Sequence, residues 1–312
     1  MINLDLTWQQ AAAGAASLAV AAAALLHSGR VMTGDGAPGD EKAQQDDHQR
    51  AATARRLRAA GGFAREAAVV VGLFALWQLA GSFSVLGPEN ALSRARWLWH
   101  TERILQLPSE AALQRMILPH PLLVQASDLY YDILHFPVLI ACLIWLFVWH
   151  RERYGQFRIT LVASTGLCLL IQLIPVAPPR MLTGIGMLDT AAAYGQSVYS
   201  SQGGFEADQL SAMPSVHVGW AILVAVAVIG AIRSPWRWLA VLYPIMTTLA
   251  VVVTANHFWL DGIAAAAVLA VVLAAQVVVR RVIDARSGEP PPTDPVSQGA
   301  PGAEQVTRVG GG

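Results

Sequence analysis

The sequence predicts an all-α, polytopic membrane helix bundle with a six-helix core and one additional N-terminal transmembrane helix. Hydrophobic residues make up 54% of the 312 residues and charged residues only 13%, a composition typical of membrane proteins rather than of soluble domains. Seven stretches approach the roughly 20 apolar residues that a helix needs to cross a bilayer. They are 8–27, 67–86, 131–149, 159–176, 215–232, 238–255 and 258–279.

The segments outside the core are one apolar N-terminal stretch and two polar stretches. Met1–Trp8 contains no Lys or Arg, so a retained spanning helix is favoured over a cleaved signal peptide, although cleavage stays open. Residues between the first two spans are rich in Gly, Asp, Gln and Arg and have too little apolar content to fold alone. The predicted parts are an N-terminal transmembrane helix, a flexible cytoplasmic linker, the main membrane domain and a disordered cytoplasmic tail, over 1–27, 28–62, 63–282 and 283–312.

The distribution of basic residues predicts the orientation, because Lys and Arg favour cytoplasmic segments. Five of the 21 Lys and Arg residues lie in the long connections 87–130 and 177–213, which we therefore expect on the outer face of the cell membrane, with the C-terminus cytoplasmic. A formal net charge of +0 gives no reason to expect nucleic acid as a partner, and nothing indicates an oligomeric state. The other 16 Lys and Arg residues lie in the segments predicted to be cytoplasmic, 28–66, 150–158, 233–237 and 280–312.

The first outer connection contains apolar and basic residues at alternating helical spacing. This pattern predicts an amphipathic helix on the outer membrane surface, and a packing role is favoured over headgroup recognition. The apolar set is Trp97, Leu98, Thr101, Ile104 and Leu105, and the basic set is Arg96, His100 and Arg103.

Ionisable side chains at membrane depth cost roughly 2.5 to 3.5 kcal/mol for a central Asp or Arg, so the few present are candidate functional residues. His257 and Asp261 lie four residues apart at the outer end of the last span, a spacing that places two side chains on one helix face. The carboxylate would orient the imidazole and leave its far nitrogen to attack or to bind a proton. Taken alone, a polar contact between helices explains the pair equally well.

Two further elements lie on the same outer face. Ser215 is a good N-cap for the fifth span, whose first backbone N–H groups would face an anion, and His217 lies beside it. Arg180 follows two prolines directly after the fourth span. Because a guanidinium binds phosphate in a bidentate manner, Arg180 and Ser215 are candidate phosphate-binding residues, with an interfacial anchor as the alternative for Arg180.

The order of an arginine motif, Pro-Ser-x-His and His-x-x-x-Asp resembles the type 2 phosphatidic acid phosphatase (PAP2) superfamily. The closer likeness is to its inositolphosphotransferase branch, the group of the fungal inositol phosphorylceramide synthase. This resemblance implies a catalytic membrane domain over 63–282, with His257 as a nucleophile that forms a phosphohistidine. It further implies Asp261 as the orienting partner, His217 as the general acid and Arg180 as a phosphate ligand. The segments that carry the resemblance are 131–135, 177–180, 213–217 and 256–261.

The sequence departs from the wider superfamily at three positions. Leu173, Val216 and Val251 stand where the superfamily has Lys, Gly and Arg, so two expected cations are absent. Other outer-face donors must then meet the phosphate charge, and a packing role for some of them is about equally well supported. The possible substrate contacts are Arg103, Arg115, Tyr131, His135 and Asn256.

Together these features predict a metal-independent phosphatase or phosphotransferase that acts, without a cofactor, on a lipid-linked phosphate among membrane lipids. Water and an alcohol such as an inositol or sugar hydroxyl would attack the same phosphoenzyme, so hydrolase and transferase are predicted equally. A zinc hydrolase using His217, His257 and Asp261 is disfavoured by the nearby Arg180 and by the lack of an HExxH motif. A transporter would need polar groups beyond mid-membrane, where the spans carry almost none.

Overall fold

All regular secondary structure that the structure describes is helical. The structure is a computed structural model, and it describes residues 8–32, 41–82, 90–194 and 210–287. Within these ranges, an isolated parallel bridge between Val176 and Ser211 is the sole β contact. The predicted all-α helix bundle is therefore confirmed.

The helices in chain order are α1 (Trp8–Val31), α2 (Glu41–Ser82), α3 (Ala91–Ile104), α4 (Glu110–Ile117), α5 (Pro121–Leu129), α6 (His135–Trp149), α7 (Arg151–Gln172), α8 (Thr190–Ala193), α9 (Val216–Ala231), α10 (Leu242–Val253) and α11 (Trp259–Ser287). A π-helical turn, Tyr130–Leu134, joins α5 to α6, and a 3-10 helix, Pro235–Val241, leads into α10. A short 3-10 turn, Pro179–Met181, follows α7.

The predicted spans 215–232 and 67–86 differ from the others. The first corresponds to α9, which is apolar but has only 16 residues, or about 24 Å of helix. The second lies in α2 as far as Ser82, and its remaining residues are outside the described chain. Each of the other five overlaps a helical segment that is long and apolar enough to cross a membrane. These segments are Gln9–Val31, Pro121–Trp149, Arg151–Gln172, Pro235–Val253 and Trp259–Arg286.

The predicted flexible linker over 28–62 is corrected by the structure, because residues 41–62 form the first half of α2. Alanine and arginine favour helix, and small residues let this half pack closely against α1 in an antiparallel hairpin. A Cβ on Gly61 would lie 2.8 Å from Cγ of Leu26, and one on Gly29 would lie 2.9 Å from Cγ of Arg58. The packing partner, which the linker's own composition does not reveal, therefore stabilises this half of the helix.

Two other predicted connections are also partly helical. Helix α7 begins at Arg151, so the predicted cytoplasmic connection 150–158 belongs almost entirely to it. Helix α11 continues to Ser287, so the tail predicted to be disordered from residue 283 starts as helix. Hydropathy marks where apolar residues end, whereas Arg, Glu and Gln extend a helix beyond that point at little cost.

Helix α3 confirms that the connection 87–130 contains a helix, and it shows which side of that helix packs against the rest of the protein. Ala91, Ala95 and Leu98 are buried in a cluster that includes Ala177 and Phe258. The rest of the predicted apolar set faces away, with Trp97 66% and Ile104 80% exposed. Helix α3 is therefore packed through its small residues against the chain segments that carry Arg180 and His257.

The chain divides into two compact units, residues 1–272 and 273–312. All the candidate site residues belong to the first unit. In the second unit, the described residues, 273–287, are helical.

Candidate active site

Ser215 is the N-cap of α9, as its sequence context predicts. Its backbone lies in the extended region, and its Oγ accepts the N–H of Val218 at 3.5 Å. Its own N–H donates to the carbonyl of Asp261 at 3.0 Å, which ties the start of α9 to the start of α11. The side chain is fully buried. Ser215 thus serves the fold through both its hydroxyl and its N–H, and only the neighbouring helix N-terminus is left to meet an anion.

His257 and Asp261 are brought together by the capping turn of α11, which corrects the predicted arrangement on one helix face. The helix begins at Trp259, so His257 lies before it. Oδ2 of Asp261 reaches back to the N–H of Phe258 at 2.8 Å, as a third-position carboxylate does in a capping box. The same oxygen lies 3.3 Å from Nδ1 of His257. The carboxylate therefore caps the helix and contacts the imidazole with one atom.

The orientation of the His257 ring is fixed mainly by a backbone carbonyl. Nδ1 lies 2.7 Å from the carbonyl oxygen of Ala212, a shorter contact than the one to Asp261. A carbonyl can only accept a hydrogen bond, so the Nδ1 of His257 carries the proton and Nε2 holds the lone pair. His257 is 5% exposed. The sequence did not reveal this contact, because Ala212 lies 45 residues away.

Three aromatic or imidazole rings surround this pair. The rings of His217 and His257 are 6.0 Å apart, centroid to centroid. Tyr131, from the π-helical turn, and His135, from the start of α6, each place a ring 4.7 Å from that of His217. His217 and Tyr131 are half-buried, whereas His135 is buried. The two predicted substrate contacts on α5–α6 thus join the three predicted catalytic residues in one cluster.

Arg180 lies beside His257 through its contact with Asn256. Its Nη1 donates to Oδ1 of Asn256, and its backbone N–H donates to the carbonyl of Ala255 at 3.1 Å. Nε lies 3.7 Å from Oδ2 of Asp189, and the arginine side chain is 6% exposed. Asp189, the N-cap of α8, is a site residue that sequence reasoning missed. Its signal, an Asp before a short alanine run, is common at any helix start.

Arg103, another predicted substrate contact, is held away from this role by an acidic partner. Its Nη2 donates to Oε2 of Glu110 at 2.9 Å and to the carbonyl of Pro108 at 3.3 Å.

Glu102, from the same helix as Arg103, is fully buried and accepts the N–H of Leu260 at 2.8 Å. Burial and the adjacent Glu110 raise the pKa of Glu102 to about 9, so it is protonated at neutral pH. Neither glutamate was expected from the sequence.

Gln114 is a third residue without a sequence signal. Its Nε2 donates to the carbonyls of Leu188 and Val253 at 2.8 and 2.9 Å, and its Oε1 accepts the N–H of Leu188 at 2.8 Å. The side chain is fully buried. Gln114 thus joins α4 to the loop that carries Asp189 and to the end of α10.

Zinc ligation by the predicted triad has no preformed geometry in the described chain, where no cluster of three or more His, Cys, Asp or Glu side chains is placed to hold a metal ion. A proton on Nδ1 of His257 leaves one nitrogen of that residue for any ligand. The arrangement instead combines a buried imidazole nitrogen that carries a lone pair, a second imidazole and a guanidinium. This combination suits reaction with an anion.

Comparison with known proteins identifies the family. Neither the curated proteins nor the solved structures gave a significant match. A family model described as the PAP2 superfamily matches residues 96–275, more than half of the chain and the range that contains Arg180, His217, His257 and Asp261. This match does not single out the inositolphosphotransferase branch. The chain therefore belongs to the PAP2 superfamily and is, in general terms, a membrane protein of phosphatase type.

Proposed function

We propose that the protein is a metal-independent phosphatase or phosphotransferase that acts on a lipid-linked phosphate through a phosphohistidine on His257. The observation that carries the proposal is the 2.7 Å contact between Nδ1 of His257 and the carbonyl oxygen of Ala212. It holds the ring in the tautomer whose Nε2 is a nucleophile. The His217 ring, 6.0 Å away, is near enough for both imidazoles to contact one phosphoryl group.

The first half-reaction uses these two rings in different roles. Nε2 of His257 attacks phosphorus, and the bond from phosphorus to the lipid oxygen breaks. His217 gives its proton to the departing oxygen, as a general acid. Asp261, whose Oδ2 is 3.3 Å from Nδ1, supports the positive charge that develops on the His257 ring.

Phosphate binding is assigned to Arg180, assisted by Asn256 and by the N-terminus of α9, which Ser215 caps. Arg180 and Asn256 are bonded to each other next to His257, so a phosphoryl group at Nε2 would lie within reach of both. Asp189 contacts Nε of Arg180 at 3.7 Å, beyond hydrogen-bond distance. A phosphate would compete with this carboxylate for the guanidinium, and its two bidentate bonds would be the stronger interaction.

The surroundings of the site support a substrate with a lipid anchor. The cluster stands at the ends of apolar helices, where a membrane-anchored phosphate would reach it without leaving the bilayer. The basic residues favour a cytoplasmic C-terminus, which would place this end on the outer face. The resemblance over 131–135 supports the inositolphosphotransferase branch. In that branch an alcohol acceptor would replace water.

Trapping the intermediate tests this proposal. Purified full-length protein is mixed with radiolabelled dioctanoyl phosphatidic acid or para-nitrophenyl phosphate and quenched in base, which preserves phosphohistidine. We expect label on the wild-type protein, at a peptide containing His257, and no label on His257→Ala.

The matched control is His120→Ala, because His120 is an exposed histidine outside the candidate site, in the connection 87–130. It should label like wild type. Turnover by wild-type protein without any labelled intermediate, or labelling of His257→Ala, would overturn the proposed nucleophile.

A further inference from the structure

His135 has an unusual environment for a buried imidazole. The side chain is 2% exposed, and its Nδ1 lies 3.1 Å from the carbonyl oxygen of Tyr131. The carbonyl can only accept, so Nδ1 carries the proton and Nε2 holds a lone pair. Nε2 is buried and has no hydrogen-bond partner within the described chain. A buried acceptor left unpaired costs free energy, so this nitrogen calls for a partner that the described chain does not supply.

The position of this nitrogen connects it with the reacting groups. The His135 ring lies 4.7 Å from that of His217 in an edge-to-face arrangement, and Tyr131 contacts both rings. The π-helical turn Tyr130–Leu134 precedes His135 directly and supplies the carbonyl that orients it. Such turns interrupt helices frequently at functional sites. His217 therefore has a second imidazole next to it, on a different helix from His257.

We propose that His135 is a further catalytic residue, the base that removes the proton from the acceptor in the second half-reaction. This inference rests on the proposed function, because it needs a phosphohistidine to act on. The acceptor oxygen attacks phosphorus, the bond from phosphorus to Nε2 of His257 breaks, and its electron pair returns to that nitrogen. The acceptor proton passes to Nε2 of His135.

The proton balance closes through the pair of neighbouring imidazoles. After the first half-reaction His217 has lost its proton to the lipid oxygen, and after the second half-reaction His135 holds one. Transfer from His135 to His217 restores both, so the proton of the acceptor replaces the one given to the leaving lipid. The leaving lipid oxygen and the attacking acceptor oxygen both lie in line with Nε2 of His257, so a base for the acceptor must lie beside the acid for the lipid oxygen, as the His135 ring does 4.7 Å from that of His217.

The alternative is that His217 performs both proton transfers, and an aryl substrate distinguishes the two. In His217→Ala, para-nitrophenyl phosphate needs no acid, so the phosphoenzyme still forms. If His135 is the base, this phosphoenzyme decays at a rate within a few-fold of wild type. If His217 is the base, it accumulates to about one per site, and the proposal is overturned.

The converse variant is His135→Gln, with His120→Ala as the control. We expect a burst of nitrophenolate close to one per site, followed by turnover slowed about 10²- to 10⁴-fold, the range typical of general-base catalysis. A wild-type steady state, or loss of burst and turnover together in a His135→Gln protein that unfolds at the wild-type temperature, would overturn the proposal. Since the His217→Ala experiment leaves His135 intact, it decides the question even if the His135 variant does not fold. Absence of phosphoenzyme from the wild type as well would refute the proposed function itself, a separate outcome.

Discussion

Asp261 has two physical roles that a substitution would separate. Its Oδ2 accepts the N–H of Phe258 and contacts Nδ1 of His257, while the carbonyl of Ala212 holds the imidazole tautomer independently. In a catalytic triad the carboxylate alone keeps the tautomer, and its amide variant loses about 10⁴-fold. Here Asp261→Asn would remove the charge that supports the imidazolium but leave the tautomer in place. Its defect should therefore be smaller than that of His257→Ala.

The two histidines of the first half-reaction should fail in different ways when the leaving group is changed. His257→Ala removes the covalent route, so its loss of activity should be the same with alkyl and aryl phosphates. The His217→Ala defect should shrink by about 10²-fold or more with para-nitrophenyl phosphate, because nitrophenolate needs no proton to leave. Steady-state rates with an alkyl and an aryl phosphate measure both. Equal rescue of the two variants by the aryl substrate would refute this assignment of roles, and rescue of His257→Ala alone would reverse it.

Metal independence is a further prediction at the residue scale. Because one nitrogen of His257 is committed to Ala212 and Arg180 contributes positive charge nearby, the site suits an anion better than a divalent cation. Treatment with a chelator should leave turnover intact, and vanadate, which mimics five-coordinate phosphorus, should inhibit it. Loss of activity in chelator that zinc restores would instead support the metal hydrolase.

At the scale of helices, the candidate site is held by contacts between residues 102–108 and the start of α11. Glu102 of α3 accepts the N–H of Leu260, and Nε1 of Trp259 donates to the carbonyl of Pro108 at 2.8 Å. On the opposite side, a Cβ on Gly262 would lie 3.5 Å from Cγ1 of Val218, an ordinary van der Waals distance, so the start of α11 lies against α9. The capping turn with His257 and Asp261 is thereby fixed between two elements, which preorganises the proposed catalytic pair.

The buried acid in this contact predicts a pH-dependent stability. Glu102 has its pKa raised from 4.5 to about 9, first by burial and then by Glu110, so between these values the folded state binds a proton that the unfolded state releases. The stabilisation is fully present below pH 4.5 and is lost as the pH rises towards 9, at up to about 1.4 kcal/mol per pH unit. Glu102→Gln should remove most of this pH dependence, because an amide binds and releases no proton in this range. The amide oxygen can still accept the N–H of Leu260, so the contact itself is kept.

The unfolding midpoint of detergent-purified protein between pH 5 and 9 measures the effect. The control is Glu152→Gln, whose side chain is 71% exposed. The unfolding midpoint of this variant should fall with rising pH in parallel with that of the wild type. If the Glu102→Gln profile is also parallel to that of wild type, the carboxyl does not carry the bound proton.

For the whole molecule, the sequence predicted correctly those features that a local pattern of residues determines. Apolar length located the helices, and the order of Arg180, His217 and His257 located residues that the fold brings together. Contacts between distant segments were missed, since Glu102 meets Leu260 158 residues away and Gln114 meets Val253 139 residues away. Buried polar residues of this kind have no periodicity or composition that distinguishes them from surface residues. The helix over 41–62 was missed for a related reason, because its packing partner lies in α1.

The orientation of the whole protein is tested by labelling single cysteines. Cys142 and Cys168 are buried and can be replaced first by alanine. Gln202 and Gly204 lie outside the described residues, in the connection 177–213, which contains one basic residue. Because few basic residues favour the outer side, single cysteines at these two positions should react with an impermeant thiol reagent in intact cells. A cysteine at Ser234, in the exposed turn before the 3-10 helix Pro235–Val241, should react only after the cells are opened.

The pattern of labelling also decides where the substrate must come from. The N-terminus of α9, which Ser215 caps, follows the connection that contains Gln202. The start of α11 is joined to it by the hydrogen bond from the N–H of Ser215 to the carbonyl of Asp261. Labelling at Gln202 and Gly204 in intact cells would thus place the site where only lipids of the outer leaflet present their phosphates. Labelling at Ser234 alone would invert the orientation. The lipid phosphate and its acceptor would then have to be cytoplasmic, while the chemistry of His135, His217 and His257 would stay the same.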